Sequence, residues 1–167
     1  MFNRTKKLLR DLKINMGSEF KQGYFTPLYP EKCINIKIGK KIIYRSSWEQ
    51  RFFSFCDSNK NVLSWASEVV EIKYIYDIDK KVHRYYPDMY CKMKKSDGNI
   101  VEYLIEIKPK KQLEKPKPPK NKTQKALKNF NYSMSTYIKN QNKWKYAKRY
   151  CETRNWNFRI LTENELF

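Results

Sequence analysis

The chain has little of what makes a stapled or metal-caged fold. Its four cysteines, Cys33, Cys56, Cys91 and Cys151, lie far apart with no C-x-x-C pair, and His83 is its only histidine. A zinc cage needs closely spaced Cys and His ligands, so that class is set aside. Reduced, mostly buried thiols in a cytosolic protein are expected instead. With no second histidine, a His-metal or Ser-His centre cannot be assembled. No apolar run is long enough to span a bilayer, and the opening MFNRTKKLLRDLK lacks the apolar centre of a signal peptide. A soluble, unsecreted protein with no membrane partner is the expectation.

Acidic charge is also scarce. Lysine and arginine number 36 against 17 acids, a formal net charge of +19. A polyanion is the expected partner, nucleic acid first, because neutralising phosphates releases counterions. A lysine-rich source or a ribosome-type structural protein would give the same charge. Aromatic residues make up 16% of the 167 residues, which argues against disorder and for one domain with a core. The organisation read from the chain is a basic N-terminal arm and connector over 1–33, then a single domain over 34–167.

Leu8, Leu9 and Leu12 among basic residues suit a short helix over 4–16, and the glycines and prolines of 17–32 an irregular connector. INIKIGKKIIYR alternates apolar and polar residues and predicts a strand pair or an extended segment around Gly39. Ser46-Ser47-Trp48-Glu49 is a capping box, so a helix should begin there, with Trp48, Phe52, Phe55 and Cys56 on its core face. Residues 61–68 and 69–76 read as strands. Helices are predicted over 123–131 and about 134–154, the second with Tyr137, Trp144, Ala147 and Cys151 on one face. A strand over 156–161 follows, and Thr162 with Glu165 can cap a last turn. The sum is an α/β sandwich.

The stretch from His83 to Gln112, HRYYPDMYCKMKKSDGNIVEYLIEIKPKKQ, carries the densest chemistry. If it folds as a hairpin, its register decides what meets. A two-residue turn at Asp97-Gly98 sets Asp88 opposite Ile107, on the other face from Glu106. A three-residue loop, Ser96-Asp97-Gly98 with Gly98 left-handed, pairs Lys95 with Asn99 and sets Asp88 opposite Glu106. Period-2 alternation then places Glu102, Leu104, Glu106 and Lys108 on one face, and Val101, Tyr103, Ile105 and Ile107 on the other. Two carboxylates and the Ile107 carbonyl are hard oxygen donors suited to magnesium, and Lys108 can orient or help deprotonate the attacking water and offset phosphate charge. Each also has a plain structural role: Glu49 as a cap, Glu106 and Lys108 as an exposed charge pair, Asp88 as a strand opener.

SSWEQRFFSFC on a helix, then HRYYPDMY, then YLIEIKPKKQ, in that order, resembles the PD-(D/E)xK nuclease superfamily. Within it the pattern is similar to the head completion nucleases of T-even-type phages and, more distantly, to TnsA-type transposon endonucleases. The resemblance spans roughly residues 40–115. It implies a restriction-endonuclease-like α/β core, a mixed β-sheet with an antiparallel hairpin flanked by helices. It also implies a magnesium-dependent deoxyribonuclease, with manganese able to substitute, that acts on the packaged DNA end before tail joining. Under it Glu49, Asp88, Glu106 and Lys108 are the catalytic set. The metal is held by Asp88, Glu106 and the Ile107 carbonyl, with Glu49 as an optional further ligand. Gln112, His83 and Tyr86 take supporting places. Arg45, Arg84, Lys110, Lys111, Lys115, Lys117 and Lys120 are the expected DNA contacts. Phage head, portal or neck proteins are candidate partners, and the host cytoplasm during phage assembly, with retention in the virion as an option, is the implied location. A basic virion protein that binds DNA without cutting is the alternative, and an RNA-binding protein is a third class, without an RNP or GXXG signature to support it.

Overall fold

The computed structural model describes residues 22–121 and 123–166. The helix expected over 4–16 lies outside the described residues. A short ribbon comes first: β1 (Gly23–Phe25) pairs antiparallel with β2 (Ile42–Tyr44). Between them the chain turns through Pro30–Lys32 and the single-turn helix α1 (Ile34–Lys37). Here the expected strand pair around Gly39 is replaced. Gly39, at φ 67°, ends α1, with its N–H on the Ile36 carbonyl and the Lys40 N–H on the Asn35 carbonyl. That is the Schellman ending of a helix, a use of glycine that strand alternation does not distinguish from a turn. The boundary expected at residue 33 also moves. Phe25 packs against the core and Cys33 is fully buried within it, so the described part of the connector belongs to the domain.

Helix α2 (Ser47–Ser58) starts at the expected cap: the Ser46 side chain accepts from the Glu49 N–H, and the Ser46 hydroxyl donates to Glu49 Oε1 at 2.9 Å. After it come β3 (Val62–Ser67), β4 (Ile72–Ile75), β5 (Val82–Tyr85), β6 (Met89–Lys94) and β7 (Ile100–Ile107). The segment from His83 to Gln112 is not one hairpin. Its first residues form β5, which pairs with β4 in a separate two-stranded ribbon, and the fully buried Pro87 carries the chain on to the main sheet. Proline holds its predecessor extended and offers no ladder N–H, which suits a crossing between two sheets.

The main sheet has the order β3-β6-β7-β8, where β8 is Asn157–Leu161. Strands β3, β6 and β7 are antiparallel, and β8 lies parallel to β7, as a crossover through a helix requires. That helix is α3 (Gln124–Glu152), one element of 29 residues where two were expected. The segment Asn131-Tyr132-Ser133 contains weak helix formers but neither glycine nor proline, and nothing in it breaks the ladder. The closing turn α4 (Glu163–Leu166) is capped as expected: Thr162 Oγ1 accepts from the Asn164 N–H and donates to Glu165 Oε2.

Both faces of the sheet are covered. On one, Phe52, Phe53 and Cys56 of α2 pack on Trp65, Met89, Cys91, Ile105 and Ile107. On the other, Ala147 and Cys151 of α3 and the tyrosines of the β4–β5 ribbon pack on Ala66, Tyr90 and Leu104. Successive residues of one strand thus enter two different cores.

Candidate active site

The hairpin of β6 and β7 closes through the three-residue loop Ser96-Asp97-Gly98. The Lys95 N–H donates to the Asn99 carbonyl at 2.8 Å, Gly98 takes φ 85°, and Lys94 pairs with Ile100. Met89 accordingly faces Ile105, which sets Asp88 at the level of Glu106. Asp88 Oδ2 accepts the Ile107 N–H at 2.7 Å, a bond that pins the carboxylate to the end of the neighbouring strand.

Three groups converge there. Lys108 Nζ lies 2.9 Å from Glu106 Oε1 and 3.7 Å from Asp88 Oδ2, and donates to the Ile107 carbonyl at 3.2 Å. Glu106 is 2% exposed, so its ionised form needs partners on both oxygens. Its other oxygen, Oε2, accepts from the Tyr85 hydroxyl at 2.6 Å. Burial, then the Glu106 charge, push the Tyr85 hydroxyl far up, so it remains a donor. Burial first, then the Glu106 carboxylate, raise Asp88 to about 7. Burial alone would lower Lys108, but the Asp88 and Glu106 charges outweigh it and hold its ammonium above the usual lysine range. Lys108 is a cation in this arrangement.

Glu49 approaches from the start of α2. Its Oε2 accepts the Arg45 N–H at 2.9 Å, Arg45 is ion-paired with Glu68, and the Glu68 N–H donates to the Asp88 carbonyl at 3.3 Å. The Glu49 charge is felt at both Asp88 and Lys108. Glu49 is a cap and a neighbour of the cluster at once.

Among the described residues no three His, Cys, Asp or Glu side chains group as a metal cage. The donor set fits a smaller demand. Two carboxylates and one carbonyl, all oxygen, already surround a cation, the Lys108 ammonium. Magnesium is commonly held by one or two carboxylates with the rest of its shell left to water and phosphate.

The other residues expected at the site have partners of their own or are exposed. His83 pairs with Asp79 at 2.8 Å and sits between the Tyr74 and Tyr76 rings in the β4–β5 ribbon. The Tyr86 hydroxyl donates to Glu71 and its ring is exposed. Gln112 is exposed at the end of a short turn that begins after Pro109. Arg84 pairs with Glu71 at 3.7 Å, and Arg45 with Glu68, so both arginines have carboxylate partners. Lys110, Lys111, Lys115, Lys117 and Lys120 are exposed on the chain that leaves β7.

Two residues escaped the sequence reading. Tyr85, the last residue of β5, is buried, whereas the adjacent Tyr86 is exposed, and the sequence does not distinguish the two. Lys143 of α3 lies with Nζ 5.1 Å from the centre of the Tyr85 ring. A lysine among 36 basic residues carried no signal of its own.

A mixed sheet flanked by helices, with an antiparallel hairpin bringing Asp, Glu and Lys together on one face, is the restriction-endonuclease-like architecture of PD-(D/E)xK nucleases. The sequence pattern of the family "TnsA-like endonuclease N terminal" matches residues 59–163. The chain belongs to this TnsA-like endonuclease family. It is 42% identical over 127 residues to the head completion nuclease of Enterobacteria phage T4, which covers 76% of this chain and 82% of that protein. No solved structure matches it significantly. No described helix is long and apolar enough to cross a membrane.

Proposed function

We propose that the protein is a magnesium-dependent DNA nuclease that hydrolyses phosphodiester bonds, and that it acts in phage head completion on the packaged DNA end before tail joining. The observation that carries the chemistry is the convergence of Asp88, Glu106 and the Ile107 carbonyl on one cation position. The head completion role rests on the similarity to the T4 protein.

Asp88, Glu106 and the Ile107 carbonyl would hold the magnesium, with Glu49 near enough in charge to act on them. When bound, the ion supplies charge neutralisation for the phosphate and an ordered water. Tyr85 fixes the Glu106 carboxylate through Oε2 and leaves Oε1 free for the cation side. Lys108 Nζ would contact a phosphate oxygen or the attacking water, its position beside both carboxylates placing it at the reacting centre. Exposed Lys110, Lys111, Lys115, Lys117 and Lys120 follow immediately in the chain and supply nonspecific attraction for the DNA backbone. Head, portal or neck proteins are the partners such a task implies, with the host cytoplasm as its place.

The test is cleavage of linear and supercoiled DNA with magnesium, with manganese, or with EDTA. Cutting that needs the divalent ion, and that falls by about 10³-fold in Glu106→Ala and in Lys108→Ala, supports the site. Cutting that survives both substitutions removes it. A noncutting DNA-binding virion protein is the second reading, favoured by the charge of +19. Under that reading DNA affinity falls steeply with salt and is indifferent to magnesium and to Asp88→Ala.

A further inference from the structure

Lys143 stands apart from the other basic side chains of α3. It lies in the middle of the helix, half-buried, where most of the helix's lysines and arginines are exposed. Its Nζ faces the Tyr85 ring, and the Tyr85 hydroxyl is bonded to Glu106. Among the described residues no carboxylate lies within ion-pair distance of it, whereas Lys108 has two. The ammonium feels Glu106, Lys108, Lys139 and Asp88, and burial, the first of these influences, lowers it.

Half-burying an ammonium without a carboxylate partner is unfavourable, and a ring face compensates only in part. Its neighbours do not explain its position as a structural ion pair. An anion between α3 and the acid cluster would: Lys143 lies over the ring of Tyr85, whose hydroxyl reaches Glu106, so a phosphodiester brought against Asp88, Glu106 and Lys108 has a second ammonium on its α3 side. Cations aimed at developing phosphate charge in a shielded cleft are a principal source of rate enhancement.

We propose that Lys143 is a second cationic residue of the site, contacting a nonbridging oxygen of the scissile phosphate from the α3 side while Lys108 contacts it from β7. The proposal rests on the nuclease reading above. It assigns the two lysines different tasks. Lys108 also balances the carboxylates; Lys143 has no carboxylate to balance and serves the substrate.

The experiment compares wild type, Lys143→Met, Lys143→Arg and, as a control from the exposed side of the same helix, Lys145→Met. Single-turnover cleavage at saturating DNA is measured with magnesium, together with DNA affinity in calcium and the thermal midpoint of each variant. The expected result is a fall of about 10²-fold in the cleavage rate of Lys143→Met. Its affinity should change no more than that of Lys145→Met, its midpoint should stay near wild type, and Lys143→Arg should recover much of the rate. Equal rates for Lys143→Met and Lys145→Met while wild type cuts overturn the Lys143 assignment alone. A rate loss matched by a lower midpoint, with no recovery in Lys143→Arg, makes Lys143 a packing residue and also overturns it. Wild type that cuts with neither magnesium nor manganese removes the nuclease reading, and this role with it.

Discussion

On the α2 side of the central sheet, Ile105 and Ile107 of β7 meet Phe52, Phe53 and Cys56; on the α3 side, one residue along the same strand, Leu104 shares its face with Glu106 and then Lys108. The first face is closed by rings in contact, with Phe53 and Trp65 centroids 5.6 Å apart and Phe25 edge-on to both. The second is closed by tyrosines whose hydroxyls have carboxylate acceptors, Tyr85 to Glu106 and Tyr90 to Glu102. Strand alternation thus divides labour. One face supplies apolar burial, and the other uses that stability to hold charges close together at a net cost.

Removing a ring from the apolar face tests that division most severely. Phe53→Ala should cost about 3–5 kcal/mol of folding stability, read from chemical denaturation, while cleavage per folded molecule stays unchanged. A rate loss beyond the unfolded fraction would show that the faces are not separable. The charged face should respond instead to pH. Asp88 is raised by burial and by Glu106 to about 7, so the folded state binds a proton that the unfolded chain releases at about 4. In EDTA its contribution to stability is therefore full below about pH 4 and is lost as pH rises to about 7, and magnesium at pH 8 should restore it. Thermal midpoints across that range, with and without the ion, check the sign.

Tyr85→Phe is a finer probe. It leaves a buried Glu106 oxygen without its donor, a loss of about 1–3 kcal/mol. With Glu106 less firmly fixed, the cleavage rate should also fall by about tenfold if Glu106 holds magnesium as proposed. Gly98→Ala should be the mildest, about 1 kcal/mol, because an L residue at φ 85° is strained although nothing crowds the added carbon. Backbone amide exchange along β6 and β7 would show whether the register survives.

Where local chemistry decides the structure, the sequence was informative. The cap at Ser46 followed from Ser-x-x-Glu, whereas Asp97-Gly98 allowed a two-residue or a three-residue turn, and period-2 geometry tied only the second to the pairing of Asp88 with Glu106 that the structure shows. What escaped was set by packing between distant segments. Ile34, Ile36 and Ile38 alternate as a strand would, but Cys33 and Asn35 dock on β3, where Asn35 exchanges hydrogen bonds with the backbone of Ser67, and a helical turn satisfies that contact better. The resemblance gives His83 a supporting place beside Asp88, whereas His83 lies in the β4–β5 ribbon and Pro87 carries the chain on to the main sheet that Asp88 adjoins. Tyr85 and Lys143 meet only because α3 returns across the β4–β5 ribbon, a placement no local pattern carries.

The ammonium of Lys108 between the carboxylates has a consequence for how the acidic pair is held. Many small metal proteins cannot complete their fold until the ion arrives, because their ligands repel one another when bare. Here the repulsion between Asp88 and Glu106 is offset in part by a charge that the polypeptide itself carries, one residue beyond the strand that holds Glu106. The positive neighbour of the acidic pair is therefore part of the chain itself, set in place by the strand pairing that sets Asp88 beside Glu106.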